Sequence, residues 1–293
     1  MVRKMKLPSG WYPRDVETID RYLGSYLDGR SGRARAVIAP HAGWFFSGRL
    51  AGKALSSLKR DAGLVVVAGG HLPPGHPVLF AGEDAVCTPL GDMPVDLELR
   101  DLVKDEFLRS GLGCAADDYA DNTVEVLLPA VRRFFPGASL LWLRLGADKR
   151  AMRAGALIAR IAARLGRNAV AVGSTDLTHY GPNYGFCPKG LGKPALDWVK
   201  TVNDRRFIEA VLSDDGDAVI ERALKECSAC SAGAVLCALG FAASFRASGT
   251  DGREAGSARL LDYATSADVT ETADKDSLGR AESFVGYAAI ELA

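Results

Sequence analysis

Leu64-Val65-Val66-Val67-Ala68-Gly69-Gly70-His71 is an apolar run of strand length that ends in two glycines and a histidine. Alternating polarity would mark a strand with one wet face. An unbroken apolar run marks one buried on both faces, as in a parallel sheet with helices above and below. Three more runs have this character: Ala36 to Ala39, closed by Pro40 and His41; Ser139 to Leu145; and Ala169 to Val172, with His179 following. Helical spacing separates them, over Val16 to Leu27, Arg49 to Leu58, Val95 to Leu108, Thr123 to Phe135 and Ala151 to Leu165, and helices dominate from Pro194 to Phe245. A short strand at Val78 to Phe80 and closing strands at Arg259 to Tyr263 and Phe284 to Ile290 complete the pattern. The expectation is an α/β protein, one domain over residues 1–293, with a largely parallel central sheet in a three-layer sandwich. The polar, aperiodic stretch from Ala267 to Glu282 reads as a surface loop.

Composition narrows the function classes. The chain has 293 residues, formal net charge +0 and 48% hydrophobic residues. Balanced charge gives no reason to expect nucleic acid or an anionic membrane as partner. The basic start, Met1 to Lys6, lacks the apolar segment of a signal peptide, and the apolar stretch from Ala232 to Ala243 is too short to span a bilayer. Six cysteines in a chain of this length do not form a disulfide framework, so a reduced, cytoplasmic protein is expected.

The four histidines, His41, His71, His76 and His179, all follow strand-like runs. In an open α/β sheet the carboxyl ends of the strands form the ligand crevice. Histidine is both the commonest metal ligand and the usual proton carrier near neutral pH. Gly69 and Gly70 leave room for a ligand beside His71, whereas His76 lies deeper in a Pro/Gly loop and reads as solvent-facing. Asp176 and His179 are three apart, so one helical turn would place them on the same side. Such a carboxylate can orient the imidazole, or it can simply cap a short helix. Cys227-Ser228-Ala229-Cys230 precedes the small-residue helix from Ala234, where the helix dipole would favour a thiolate.

Further motifs run along the chain: Gly10-Trp11-Tyr12-Pro13, Pro40-His41-Ala42-Gly43-Trp44 with Ser47-Gly48, and Thr88-Pro89-Leu90-Gly91 with Val95-Asp96. Beyond these come Glu125-Val126 with Leu128-Pro129, Ser174 to Gly181, Cys227, and Leu261-Asp262-Tyr263. Together these segments resemble the Memo family, also called component B of the AmmeMemoRadiSam system. The order runs over nearly the whole chain. The resemblance implies a fold like that of the class III extradiol dioxygenases. It implies a mononuclear transition metal, iron or copper with zinc as an alternative, held by His41, His71 and Cys227. Asp176 and His179 would line the same pocket.

The expected function is a non-haem metal-dependent oxidoreductase, dioxygenase-like, acting on a small molecule, with His179 as acid/base oriented by Asp176. The alternative is a non-catalytic metal- or peptide-binding protein using the same cleft. A thiolate in place of a carboxylate makes the site softer and draws it toward copper(I) or zinc. Two residues depart from the family pattern. Asn122 stands where a histidine is usual and Ser228 where glycine is usual.

Overall fold

The computed structural model describes residues 1–27, 32–247, 258–269 and 282–292. Its centre is a nine-stranded sheet. The strands are β1 (Ala36–Ala39), β2 (Leu64–Leu72), β3 (Val78–Phe80), β4 (Cys114–Ala116) and β5 (Ser139–Gly146), then β6 (Ala169–Ser174), β7 (His179–Tyr180), β8 (Arg259–Thr265) and β9 (Phe284–Leu292). They run in the order β7-β9-β1-β6-β2-β5-β3-β4, with β8 also paired to β9. The four middle strands, β1, β6, β2 and β5, are mutually parallel. Antiparallel pairs enter at the flanks, between β1 and β9 and between β5 and β3. A separate three-stranded sheet joins Val2–Arg3, Ala85–Val86 and Met93–Pro94.

The decisive run is buried on both faces. Leu64, Val66 and Ala68 join one hydrophobic cluster, while Val65 and Val67 join the other. The described α-helices are α1 (Val16–Leu27), α2 (Trp44–Ser56), α3 (Leu97–Arg109), α4 (Asn122–Glu125), α5 (Leu128–Phe134), α6 (Arg150–Arg164), α7 (Lys193–Trp198), α8 (Asp204–Leu212), α9 (Gly216–Glu226), α10 (Ala232–Ala247) and α11 (Ser266–Val269). The first cluster packs under α6 and α10, and the second under α2 and α5. Strand side chains alternate between faces, so both faces of a central strand are apolar only when helices cover both. The three layers expected from the sequence are therefore present. The helix after His41 begins at Trp44 rather than Arg49, and the pattern from Thr123 to Phe135 divides into two helices, Asn122–Glu125 and Leu128–Phe134. Of the loop expected from Ala267 to Glu282, the first residues form a short helix, Ser266–Val269. Residues 270–281 of that stretch lie outside the described residues.

α10 can sit this close to the sheet because small residues line its path. A methyl on Gly173 of β6 would come within 2.7 Å of the Ala234 carbonyl, and one on Gly233 within 2.0 Å of the Gly146 carbonyl. The start of α10 is thereby pressed against the carboxyl ends of β6 and β5.

Candidate metal centre

Neighbouring parallel strands end side by side, and this brings the site residues together. β6 lies between β1 and β2, with Ala39 opposite Ser174 and Ala68 opposite Gly173. His41 follows β1, Asp176 follows β6, and His71 stands near the end of β2. His41, His71 and Cys230 each offer one ligand atom, and these atoms all lie within 4.8 Å of one another. The Cys230 Sγ is 3.2 Å from His41 Nε2.

Each member is fixed by its own partner. His41 is buried, and its Nδ1 lies 2.9 Å from Ser174 Oγ, which leaves Nε2 facing the thiol. Its backbone N–H donates to Asp176 Oδ1 at 2.7 Å, and its carbonyl accepts from Asn122 Nδ2 at 2.9 Å. Asn122 therefore braces the His41 backbone. His71 takes a left-handed backbone with φ of 58°, uncommon for a residue with a Cβ and a feature that clusters at functional sites. Its Nδ1 lies 3.0 Å from Asp121 Oδ2. Arg144 holds the same carboxylate oxygen at 3.0 Å, and buried Asp117 in turn holds Arg144 at 3.1 Å. A carboxylate on the second nitrogen of a ligand histidine orients the ring.

The thiol facing the imidazoles belongs to Cys230, not to Cys227 as expected. Cys227 ends α9 (Gly216–Glu226) in the left-handed conformation, φ 51°, and is exposed. The chain then turns so that the Cys230 N–H donates to the Asp176 carbonyl at 3.2 Å and the Ser231 N–H to Thr175 Oγ1 at 3.1 Å. A methyl on Gly70 would strike Ser231, at 2.4 Å from its Cβ, so that glycine permits the close approach. The physical reason lies in the irregular link between the two helices. Cys227 ends α9 and faces solvent, whereas Cys230 lies in the link two residues before α10, where the bonds to Asp176 and Thr175 hold it on the strand ends. A spacing of three residues carries no information on which thiol faces inward.

Asp176 and His179 also meet, though not by the expected route. No helix spans them, and Asp176 caps none. Residues 175–178 are irregular, and His179 pairs in β7 with Val285. Asp176 is buried, with Oδ2 4.0 Å from both His41 Nε2 and His179 Nε2. The His179 Nε2 is itself buried without a protein hydrogen-bond partner. Tyr184 lies against this ring, with centroids 5.0 Å apart. His76 stays outside the cluster, its Nδ1 near its neighbour's carbonyl.

Electrostatics tie the group together. Burial would raise the Cys230 thiol, but His41 and His71 beside it bring its pKa well below the ordinary value. Burial would lower His71, yet Asp121 and the Cys230 thiolate hold it up at about 10. Burial likewise works against a charged His41, and Asp176 and Cys230 overcome it and raise its pKa. Asp176 itself is raised by burial. The two imidazoles thus favour the thiolate form of Cys230, the deprotonated form that a metal ion requires of a cysteine ligand. The spacing fits one ion. Bonds of about 2.0 Å to nitrogen and 2.3 Å to sulfur at a tetrahedral angle need N···S separations of roughly 3.5 Å.

Comparison with known proteins follows the same lines. Residues 3–290 match the family model described as Memo-like protein. A MEMO1 family protein of Pyrococcus furiosus is 28% identical, covering 99% of this chain and 98% of its own. One of Methanosarcina mazei is 29% identical, over 99% of this chain and 98% of its own. Among solved structures, uncharacterized protein JW3007 of Escherichia coli K12 aligns with a TM-score of 0.55 over 89% of this chain and 100% of its own. At 12% identity it attests the shared fold alone.

Proposed function

The chain belongs to the family of Memo-like proteins, and on that premise we propose that it is a non-haem metal-dependent oxidoreductase acting on a small molecule. The observation that carries this reading is the convergence of His41, His71 and Cys230 within 4.8 Å beside the buried Asp176 and the unpartnered His179 Nε2. His41, His71 and Cys230 are the metal ligands. The donor set suits iron, copper or zinc, and the thiolate favours the softer of these. A bound redox-active ion would supply electron transfer and Lewis acidity to a coordinated substrate.

The remaining residues act on protons and orientation. His179, whose Nε2 is buried near Asp176 without a protein hydrogen-bond partner, is the acid/base group. Asp176 stands between His179 and His41, with Oδ2 4.0 Å from Nε2 of each, and favours the protonated form of His41. Asp121 and Ser174 set the ring orientations of His71 and His41. A pure metal buffer has no use for an unsatisfied imidazole beside its ligands, and this favours chemistry over binding alone.

The test is anaerobic purification with metal analysis, then oxygen-uptake assays on catechols and related aromatics. Near one equivalent of metal per chain, lost in His41→Ala, is expected, with uptake that depends on it. Wild-type protein that takes up no transition metal would overturn the ligand set. Stoichiometric metal without turnover on any small molecule would leave the protein a metal binder.

A further inference from the structure

The segment that carries Asp176 and His179 is tied to the segment that carries Cys230 by a pair of residues outside the cleft. Asn203 and Asp204 are both buried, at 2% and 0% exposure. The Asn203 amide donates twice, to Thr178 Oγ1 at 2.9 Å and to the Glu226 carbonyl at 3.0 Å. Thr178 immediately precedes His179. Glu226 is the last residue of α9, from which the chain runs through Cys227 to Cys230. One side chain therefore spans the two segments on which the acid/base group and the thiolate are mounted.

Asp204 locks the same hydroxyl from the other side. Its Oδ1 accepts from the Thr178 N–H at 3.0 Å and from the Thr178 hydroxyl, and its Oδ2 accepts from Tyr263 OH at 2.7 Å. Consecutive residues of a regular α-helix point about 100° apart, so two neighbours do not ordinarily reach one hydroxyl. Here the helix widens into a π-turn over Val199–Asn203, and Asp204 opens the next α-helix. Such turns are rare and occur often at functional sites. The opposite wall is equally specific. Gly286 exchanges backbone hydrogen bonds with Leu177 and Thr178, and a methyl there would lie 1.9 Å from Asp204 Oδ2.

We propose that Asn203, carried on the π-turn and locked by Asp204, is the positioning residue that sets the His179 segment relative to the Cys230 segment. This rests on the reading of Cys230 as a ligand and His179 as acid/base. Asn203 touches neither the ligand atoms nor the cleft, and it acts through Thr178 and Glu226. The Cys230 and Ser231 N–H groups bond the Asp176 carbonyl and Thr175 Oγ1 directly, and the Asn203 amide adds a further link between the two segments, made by a side chain away from the ligand atoms.

The test compares Asn203→Ala, Thr178→Val, Thr178→Ser and Tyr263→Phe in the full chain. Two readouts are taken: the ring resonances of His179 in the metal-free protein, assigned with His179→Gln, and the thiolate-to-metal charge-transfer band after loading with Co(II). Asn203→Ala and Thr178→Val should shift the His179 resonances, move the band and weaken Co(II) binding about tenfold, the low end for an outer-shell change. Thr178→Ser keeps the hydroxyl and should match wild type in all three. Tyr263→Phe loosens Asp204 without touching Thr178, and should lower Tm while leaving both spectra in place. Thr178→Val is nearly isosteric and decides the matter if Asn203→Ala does not fold. The proposal fails if Asn203→Ala or Thr178→Val lowers Tm with unmoved spectra, or if Tyr263→Phe moves them equally. If wild type binds no Co(II), the ligand set fails, and the His179 resonances still decide the positioning role.

Discussion

Position 230 separates spacing from geometry. Both cysteines of the pair are plausible ligands in the sequence, yet one is exposed at a helix end and the other lies 3.2 Å from an imidazole. Cys230→Ala should reduce metal affinity by more than the roughly 10–100-fold typical of an outer-shell change, while Cys227→Ala should leave it near wild type. Competitive titration against a chelator measures both, and the reverse ranking would return the ligand role to Cys227. The acid/base assignment makes a second prediction. His179→Gln should retain the metal and lower turnover about 10²–10⁴-fold on whichever substrate supports oxygen uptake. Loss of metal from His179→Gln would instead make His179 a ligand.

Among the elements, α10 carries the most consequence. The link that carries Cys230 enters it directly, and its close approach to the strand ends depends on Gly173 lying under Ala234. Gly173→Ala forces the helix away from β6 and should destabilise the protein by about 1–3 kcal/mol, the usual cost of overpacking. Metal affinity should fall with it, because the thiolate lies only two residues before the displaced helix. Gly137→Ala adds a methyl to open space and should change stability by no more than about 0.5 kcal/mol. Urea unfolding of the pair checks the contrast, and equal effects would remove close packing as the cause. The strands and most helices were legible because their apolar patterns are long and periodic. The stretch from Thr175 to Thr178 was not, because it belongs to no regular element and takes its shape from Asn203, Asp204 and Gly286.

At the scale of the whole molecule, a buried acid distant in sequence from the ligands sets a pH dependence. Burial raises Asp204 to about 7, against the hydrogen bonds from Thr178 and Tyr263 that favour its charged form. An unfolded aspartate titrates near 3.9, so the folded state binds the extra proton between about pH 4 and 7. The sign follows. The contribution is fully present below about pH 4 and is lost as pH rises through about 7. Asp204→Asn, which mimics the protonated acid, should be less pH-dependent than wild type across this window and should gain relative to it toward pH 8. Unfolding curves from pH 4 to 8 give the comparison, and parallel profiles for the two proteins would exclude Asp204 as the source.

The sequence by itself determined the class of fold, and it pointed to the strands that end at the candidate site and to three residues there, because His41, His71 and Asp176 each lie at or just past the end of a buried apolar run. Strand order then places their ends together whatever the loops do. The tertiary structure alone decided the thiol, the role of Asn122 as a backbone brace, and the Asp121–Arg144–Asp117 chain behind His71. Those choices depend on which way a turn or helix end faces. That is settled by packing between segments far apart in the chain, such as Gly70 against Ser231, and a local pattern does not record it.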